Sequence, residues 1–313
     1  MSEVWQKAKK LEEEIGKVIL GKEQVIHQVV VCLLAGGHVL LEDRPGVGKT
    51  TLAKTLAAAS GCGFSRIQFT PDTMASDVTG VSVYNMATKE FEFHKGAVMN
   101  HMILADEINR TSPKTQAALL EAMEERQVTV DGTTYTLPKP FFVIATQNDV
   151  SSRGTYFLPE AQLDRFMMQL SIGYPDTESE CRMAVMVIEG KAMQSVETIL
   201  EPEILCKLQE EVQQVSIHED LLNYAAGMVQ STRKYEDILV GASPRALIHL
   251  LKAAQAAAYL DGRDYVVPDD IKENAVPVLA HRLILSANAL KQGKTKQSCM
   301  EEVKIRCKVP KVV

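Results

Sequence analysis

The spacing of hydrophobic positions changes about halfway along the chain. Up to residue 174, short apolar runs bounded by polar or turn residues alternate with amphipathic stretches, which predicts strands separated by helices. The predicted strands are residues 38–42, 66–69, 101–105 and 141–146, and the helices that follow are residues 49–60, 112–126 and 160–164. Because strands that alternate with helices form parallel sheets, this half is predicted to be an α/β domain with a parallel sheet flanked by helices.

Beyond this alternation, the pattern predicts two hairpins and a second domain. Residues 81–93 end in the alternating sequence FEF, and residues 127–137 contain the tight-turn pair Asp131-Gly132. After residue 175 the periodicity is helical, with predicted helices at 177–189, 202–215, 218–233, 244–260 and 268–283. We therefore predict an α/β domain over residues 1–175 and a smaller helical domain over residues 176–313. The basic, weakly patterned end from residue 291 is predicted to be solvated and partly frayed.

Composition and charge narrow the classes of function. Of the 313 residues, 46% are hydrophobic and 24% are charged, and the formal net charge of −6 argues against nucleic acid as a partner. No apolar run approaches the roughly 20 residues that span a bilayer, and the charged N-terminus lacks an apolar signal segment, so we expect a cytoplasmic protein without a membrane span. The six cysteines form no C-x-x-C pair and the seven histidines lack metal-ligand spacing, so both sets are interpreted as structural.

Candidate chemistry begins in residues 39–52, VLLEDRPGVGKTTL, where a predicted strand enters a Gly/Pro turn and a helix leaves it. Gly46 and Gly48 allow backbone N–H groups to close around phosphate oxygens, and the helix start is positively polarised. Lys49 adds a charge for the β- and γ-phosphates, and Thr50 offers a hydroxyl to Mg²⁺. The pattern is G-x-x-x-x-G-K-[ST] with Asp43 at the first glycine. It predicts a nucleoside-triphosphate site, and a chance Gly-rich turn is the alternative.

Hydrolysis requires further groups, and two later segments supply them. Residues 102–107, MILADE, predict an apolar strand that ends in two carboxylates. Asp106 is expected to hold Mg²⁺, and Glu107 to orient or deprotonate the attacking water. An exposed acidic pair that caps the next helix is the alternative. Asn148 ends the following predicted strand, where an amide can hydrogen-bond both the γ-phosphate and the water.

Two arginines complete the candidate set. Arg165 follows a short predicted helix, and Arg245 starts a helix of the second domain. An arginine aimed at the transferred phosphate is worth roughly 10³–10⁵ in rate, although a surface ion pair is the commoner role of a lone arginine. Since Lys49 and Arg245 lie on either side of the predicted boundary, bound ATP is expected to tie the helical domain to the α/β domain.

The chain resembles the MoxR family of AAA+ ATPases. The resemblance extends through roughly residues 15–290. The matching stretches are LLEDRPGVGKTTLAK (40–54), LADEINRTSPKTQAALLEAMEERQVTVDG (104–132), IATQN (144–148), GTYFLPEAQLDRF (154–166), GASPRAL (241–247) and HRLILS (281–286).

The resemblance implies ATP and Mg²⁺ as ligands. It places Lys49 and Thr50 in the Walker A motif, with Asp106 and Glu107 in the Walker B motif. Residues 18–21, VILG, resemble the stretch whose backbone lies near adenine. Nucleotide contacts are therefore expected from Val18, Ile19, Gly21, Asp43, Arg44, Pro45, Gly46, Val47, Gly48, Lys49, Thr50 and Thr51.

The remaining roles are also implied by the resemblance. Asn148 corresponds to sensor 1, and Arg165 to the arginine finger that acts on the ATP of the neighbouring subunit. Arg245 corresponds to sensor 2 on an α-helical lid domain. The hairpins near 81–93 and 127–137 resemble the inserts that precede the Walker B strand and the sensor 1 strand.

Family resemblance further implies a ring-shaped homo-oligomer, taken as a hexamer, that remodels or activates a partner protein. A protein with a von Willebrand factor A domain, or another client, is the expected partner. The alternative is an ATPase subunit of a metal-chelatase-like metal-insertion complex. A non-hydrolysing switch is disfavoured by the intact Asp106 and Glu107, and a DNA-unwinding motor by the acidic charge.

Overall fold

A five-stranded sheet organises the first half of the chain, and helices dominate the second half. The computed structural model describes residues 3–147, 156, 158–190 and 196–310. The strands are, in chain order, β1 Val39–Glu42, β2 Phe64–Gln68, β3 Gly80–Asn85, β4 Glu90–Lys95, β5 Met102–Asp106, β6 Gln127–Val130, β7 Thr133–Thr136, β8 Phe142–Gln147, β9 Met168–Leu170, β10 Ile238–Val240 and β11 Ile284–Leu285. The helices are α1 Glu3–Gly16, α2 Glu23–Leu34, α3 Lys49–Ala59, α4 Ala75–Thr79, α5 Pro113–Glu125, α6 Glu160–Leu163, α7 Thr177–Ile188, α8 Pro202–Val212, α9 Glu219–Thr232, α10 Pro244–Leu260, α11 Pro268–Leu279, α12 Ala287–Lys291 and α13 Lys296–Arg306. In these residue ranges, no helix has both the length and the apolar character that a bilayer crossing requires.

The strands of the main sheet run parallel in the order β2-β5-β8-β1-β9. The four predicted strands all form, and the predicted α/β fold with a parallel sheet and a second helical region is confirmed. The fifth strand, β9, was not predicted, because three residues are too short to show a periodicity; it forms by pairing Met168 with Val39. The carboxyl ends of parallel strands share one edge, and ligands bind in α/β proteins at that edge.

The two predicted hairpins correspond to the antiparallel pairs β3–β4 and β6–β7. In the second hairpin, Asp131 and Gly132 have φ angles of 49° and 79°, as a tight two-residue turn requires. The rings of Phe93 and Tyr135 stack with their centroids 3.9 Å apart. This contact ties the two hairpins to each other.

Helices α1 and α2 connect the two halves of the molecule. Helix α1 packs against α3 of the first half and against α8 and α10 of the second, and α2 packs against the same two later helices. One hydrophobic cluster accordingly extends from Ala8 to Val303. The boundary near residue 175 stays a prediction, since the packed core continues across it.

The prediction of a frayed C-terminal end is wrong for the residues up to 306, which include helices α12 and α13. Helix α13 buries Cys299, Met300 and Val303, and it packs against α9 and α11. Lys294 donates to a carboxylate oxygen of Asp237 at 2.6 Å. The basic composition of this segment gave no sign of a helix that buries three of its apolar residues, or of a lysine held in an ion pair.

Candidate active site

The loop between β1 and α3 has the conformation of a phosphate-binding turn. Gly46 and Gly48 have φ angles of 88° and 95°, in the left-handed region that L side chains rarely adopt. Lys49 begins α3, and its Nζ donates to the backbone oxygen of Asp43 at 2.9 Å, which closes the loop. The first N–H groups of α3, which have no partner within the helix, therefore lie beside the loop, where an anion can accept from them.

This loop forms one wall of a cavity of about 410 Å³, which we call the phosphate cavity. The opposite wall comes from the carboxyl ends of β2 and β5. The lining residues are Pro45, Gly46, Gly48, Lys49, Thr50, Thr51, Arg66, Gln68, Asp106 and Glu107. The structure thus brings Lys49 and Thr50 together with Asp106 and Glu107, although the two pairs are far apart in the sequence.

Two side chains on neighbouring strands hold Asp106. Its Oδ1 accepts from the Thr146 hydroxyl at 2.6 Å, and its Oδ2 accepts from the Arg66 guanidinium at 2.7 Å. The Asp106 side chain is 13% exposed and that of Arg66 is 44% exposed. Sequence reasoning missed Thr146 and Arg66, which reach Asp106 only because β8 and β2 lie on either side of β5.

Glu107 follows β5 in a left-handed conformation, with a φ angle of 57°. This turn allows two consecutive carboxylates to line one cavity, whereas in a continuing strand they would lie on opposite faces. Its backbone N–H donates to the Thr146 hydroxyl at 2.8 Å. Its Oε2 accepts from Gln68 at 3.0 Å and from Arg110 at 2.9 Å, so the carboxylate has a fixed orientation. Gln68 and Arg110 were also missed from the sequence.

Burial and the nearby carboxylates act on the pKa of Lys49 in opposite directions. Burial lowers the pKa of Lys49 from its ordinary value, while the charges of Asp43, Asp106 and Glu107 act in the opposite direction. A polyphosphate in the cavity would add negative charge beside the ammonium and favour its charged form. The residues present therefore suit a phosphate chain together with a divalent cation, for which Thr50 and Asp106 are hard oxygen ligands.

A second cavity of about 120 Å³, the base cavity, adjoins the first and shares part of the loop. Its lining includes aliphatic and aromatic side chains, which suit a flat heterocycle. The residues beyond the loop are Ile19, Leu20, Lys22, Ile172, Tyr174, Pro175, Glu180 and Met183. Of the residues expected near adenine, Ile19 lines this cavity. Val18 is buried in the core instead, and Gly21 lies against Ser179 in the first turn of α7.

Asp43 replaces the usual first glycine, and it ties the loop to the chain beyond β9. Its carboxylate accepts from the backbone N–H groups of Ile172 and Gly173 and, at 3.0 Å, from the Ser171 hydroxyl. Arg44 is exposed. Neither Asp43 nor Arg44 lines the phosphate cavity or the base cavity. Asp43 therefore supports the loop and the wall of the base cavity from outside.

Arg165 and Arg245 lie at the other edge of the sheet. They line a cavity of about 200 Å³, the arginine cavity, together with residues 36–38, which precede β1. The phosphate-binding loop follows β1, whose four residues separate the two cavities by roughly 13 Å. Arg245 and Lys49 therefore line different cavities. A single bound ATP would not contact both residues, as the expected link between the two domains required.

The predicted sensor asparagine, Asn148, lies outside the described residues. Strand β8, which leads to it, ends at Gln147. This strand lies between β5 and β1, the strands that lead to the carboxylates and to the loop. Its role at the γ-phosphate stays a prediction.

Comparison with known proteins gives a consistent result. Residues 38–168 match the ATPase family associated with various cellular activities (AAA), and residues 230–303 match the AAA lid domain. The chain is 49% identical to the protein YeaC of Bacillus subtilis, over 95% of this chain and 93% of that one. It is 42% identical to Chaperone MoxR1 of Mycobacterium tuberculosis, over 88% of this chain and 75% of that one. The crystal structure of a candidate ATPase from Cytophaga hutchinsonii superposes with a TM-score of 0.92 at 41% identity, covering 98% and 96% of the two chains.

Proposed function

This chain belongs to the MoxR family of AAA+ ATPases, and from that membership we propose that it hydrolyses ATP with Mg²⁺ in the phosphate cavity. The observation that supports this best is the meeting of Lys49 and Thr50, from the loop, with Asp106 and Glu107, from the end of β5, in one cavity. Together they provide a charge for the phosphates, two oxygen ligands for a divalent cation and a carboxylate for water. Phosphoryl transfer to water uses this set of groups.

Groups of the chain account for binding and for activation of the water. The N–H groups at the start of α3 and the Lys49 ammonium bind the β- and γ-phosphates. Thr50 and Asp106 would hold Mg²⁺, which supplies charge neutralisation on the transferred phosphate when it is bound. Glu107 orients the water and accepts its proton as the water oxygen bonds to the γ-phosphorus and the bond to the ADP oxygen breaks. The hydrogen bond from Gln68 keeps the Glu107 carboxylate in place.

Separate measurements of binding and turnover test this proposal. Glu107→Gln should bind ATP normally and release phosphate at least about a hundredfold more slowly, because an amide cannot accept the proton. Lys49→Ala should weaken binding itself, since the phosphates lose their charged partner. Glu125→Gln, at an exposed glutamate that ends α5, is the matched control and should keep both ATP binding and turnover. Wild-type turnover in Glu107→Gln would show that another group activates the water.

We further propose that the active form is a ring, a hexamer, that remodels a partner protein such as one with a von Willebrand factor A domain. Family membership supports this, as does the name Chaperone MoxR1 of one relative. Sedimentation of Glu107→Gln with ATP measures the size of the assembly, and a pull-down with this variant captures the client. Capture of a metal-free enzyme precursor that then receives its metal would favour the metal-chelatase-like alternative.

A further inference from the structure

Glu124 lies in the last turn of α5, whose end is anchored to the sheet. Arg126 ends this helix with a φ angle of 55°, and its guanidinium donates to the carbonyl oxygens of Phe141 and, at 2.8 Å, of Gly36. Gly36 precedes β1 and Phe141 precedes β8, so the helix end is fixed at the amino ends of these two neighbouring strands. Glu124 is thereby held at the lining of the arginine cavity.

The Glu124 carboxylate is shared by two arginines from distant parts of the chain. Its Oε2 pairs with Arg165 Nε at 3.0 Å, and its Oε1 accepts from a terminal nitrogen of Arg245 at 2.5 Å. Arg165 precedes β9, whereas Arg245 lies in the first turn of α10. One carboxylate therefore joins a guanidinium from the α/β half to a guanidinium from the helical half.

The start of α10 is also docked next to Arg165. Ser243 caps this helix, and its hydroxyl is 3.1 Å from both carboxylate oxygens of Asp164. The buried Arg282 pairs with Asp164 at 3.1 Å and donates to the carbonyl oxygen of Phe166 at 2.6 Å. Because Asp164 is adjacent to Arg165 in the chain, the backbones that carry the two arginines are held together independently of Glu124.

The arginine cavity keeps an excess of positive charge. Lys252 and Arg126 also line it, and among its described lining residues Glu124 is the one carboxylate. Burial lowers the pKa of the lining residue His249 to about 3, so this side chain is neutral near pH 7. A guanidinium carries five donors and a carboxylate accepts about four hydrogen bonds, so Glu124 cannot saturate two arginines. An anion with several oxygens, such as a terminal phosphate, matches the remaining capacity.

We propose that Glu124 is a positioning residue that presents Arg165 and Arg245 as a pair to the terminal phosphate of ATP bound by a second copy of this chain. This inference rests on the proposed ATPase function. The phosphate cavity of the same chain lies beyond the opposite end of β1, so the phosphate that meets the pair comes from another molecule. Without the shared carboxylate both guanidinium groups remain, and Arg245 keeps a contact with Asp164 at 3.9 Å. The two groups nevertheless lose their common orientation, and a displacement of about 1 Å costs on the order of 10² in rate.

The test compares Glu124→Ala and Glu124→Gln with Glu125→Ala, which removes the adjacent exposed glutamate. In the assembled protein, Glu124→Ala should lower kcat roughly 10²-fold while KM changes by less than about threefold. Glu124→Gln should lower kcat by a smaller factor, because its amide oxygen still accepts from one arginine. Glu125→Ala should keep kcat. Circular dichroism and sedimentation establish that each variant is folded and assembled.

A mixing experiment distinguishes positioning from a general loss of structure. Lys49→Ala subunits keep Glu124 and both arginines but cannot hold phosphates, so their addition should restore turnover in the pockets of Glu124→Ala subunits. If Glu124→Ala does not assemble, the same mixing experiment with Glu124→Gln tests the positioning role instead. A folded variant with unchanged or raised kcat, or one that mixing does not rescue, overturns the positioning role of Glu124 but leaves the proposed function standing. A wild-type protein that hydrolyses no ATP overturns the proposed function and this inference with it.

Discussion

The two ends of β1 carry different halves of one set of groups. At the carboxyl end, the phosphate cavity combines a glycine-containing loop with Asp106 and Glu107. At the amino end, the arginine cavity contains Arg165 and Arg245, and its described lining has neither that loop nor those carboxylates. Phosphoryl transfer uses the groups of both ends, with an arginine at the transferred phosphate. The separation of these groups supports the proposal that one chain by itself is an incomplete catalyst.

Two copies in a head-to-tail contact would bring the two ends together. Such a contact is heterologous, because a different surface of each copy takes part, and it generates a ring when the rotation between copies closes. A two-fold symmetric dimer would instead place like ends against each other. The separation of the two cavities along one short strand therefore favours a ring over a symmetric dimer.

The largest effect is expected from removal of Arg165. Arg165→Ala should keep ATP affinity and lose roughly 10³-fold or more in kcat, since an arginine supplied by a neighbour acts mainly on the transition state. Arg182→Ala, at an exposed arginine of α7, is the control. Phosphate release at saturating ATP and nucleotide binding are measured separately for each variant.

Dilution and mixing show whether Arg165 acts between copies. Specific activity of the wild type should fall on dilution through the assembly range, and Lys49→Ala subunits should restore activity to Arg165→Ala by lending their arginine. Activity that is independent of dilution, with no recovery on mixing, would mean that Arg165 is a structural residue within its own chain.

The phosphate cavity was largely predictable because its residues belong to short contiguous segments. A strand, a Gly/Pro turn and a helix fix the loop locally, and the left-handed angles of Gly46 and Gly48 are of the kind that glycine readily adopts. Arg66 and Gln68 were not predictable in this way. They reach the carboxylates because β2 pairs with β5 in a register that sets Gln68 opposite Asp106, and one sequence does not reveal a register between distant strands.

The arginine cavity depends on packing between distant segments, so the sequence could not show it. The sequence marked Arg165 and Arg245 as candidates, but not that both pair with Glu124. That contact requires α10 to dock on the residue before Arg165, and no local pattern encodes this. The same limit applies to α13, whose burial depends on α9 and α11.

A smaller effect is expected when nucleotide stabilises the dilute protein. Mg·ATP at a hundredfold excess over its dissociation constant should add about 2.7 kcal/mol to the free energy of unfolding. Lys49→Ala should lose most of this gain. Arg245→Ala should keep it, because Arg245 lies at the other end of β1. The melting temperature is measured with and without nucleotide at a concentration below assembly. A gain that disappears in dilute Arg245→Ala would place this arginine at the nucleotide of its own chain.

The hydrogen bonds of Asp43 should contribute less to the free energy of unfolding than bound nucleotide does. Asp43→Ala removes the acceptor of the N–H groups of Ile172 and Gly173, which should lower the free energy of unfolding by about 1–2 kcal/mol. Asp72→Ala, at an exposed aspartate in a loop, is the control and should be close to neutral. Urea unfolding measures both. Unchanged stability of Asp43→Ala would mean that water replaces the carboxylate at no cost.

The smallest effect is expected at the pair between Arg66 and Asp106, inside the phosphate cavity. A guanidinium 2.7 Å from this carboxylate competes with any cation that binds there. Since Arg66 is 44% exposed, the pair is worth at most about 1 kcal/mol. Arg66→Gln should therefore lower the Mg²⁺ concentration that half-saturates ATP hydrolysis by up to about fivefold, and less at high salt. Lys54→Gln removes an equal charge from the exposed face of α3 and should leave this concentration unchanged. A higher Mg²⁺ requirement in Arg66→Gln would mean that Arg66 assists the bound nucleotide instead of competing for Asp106.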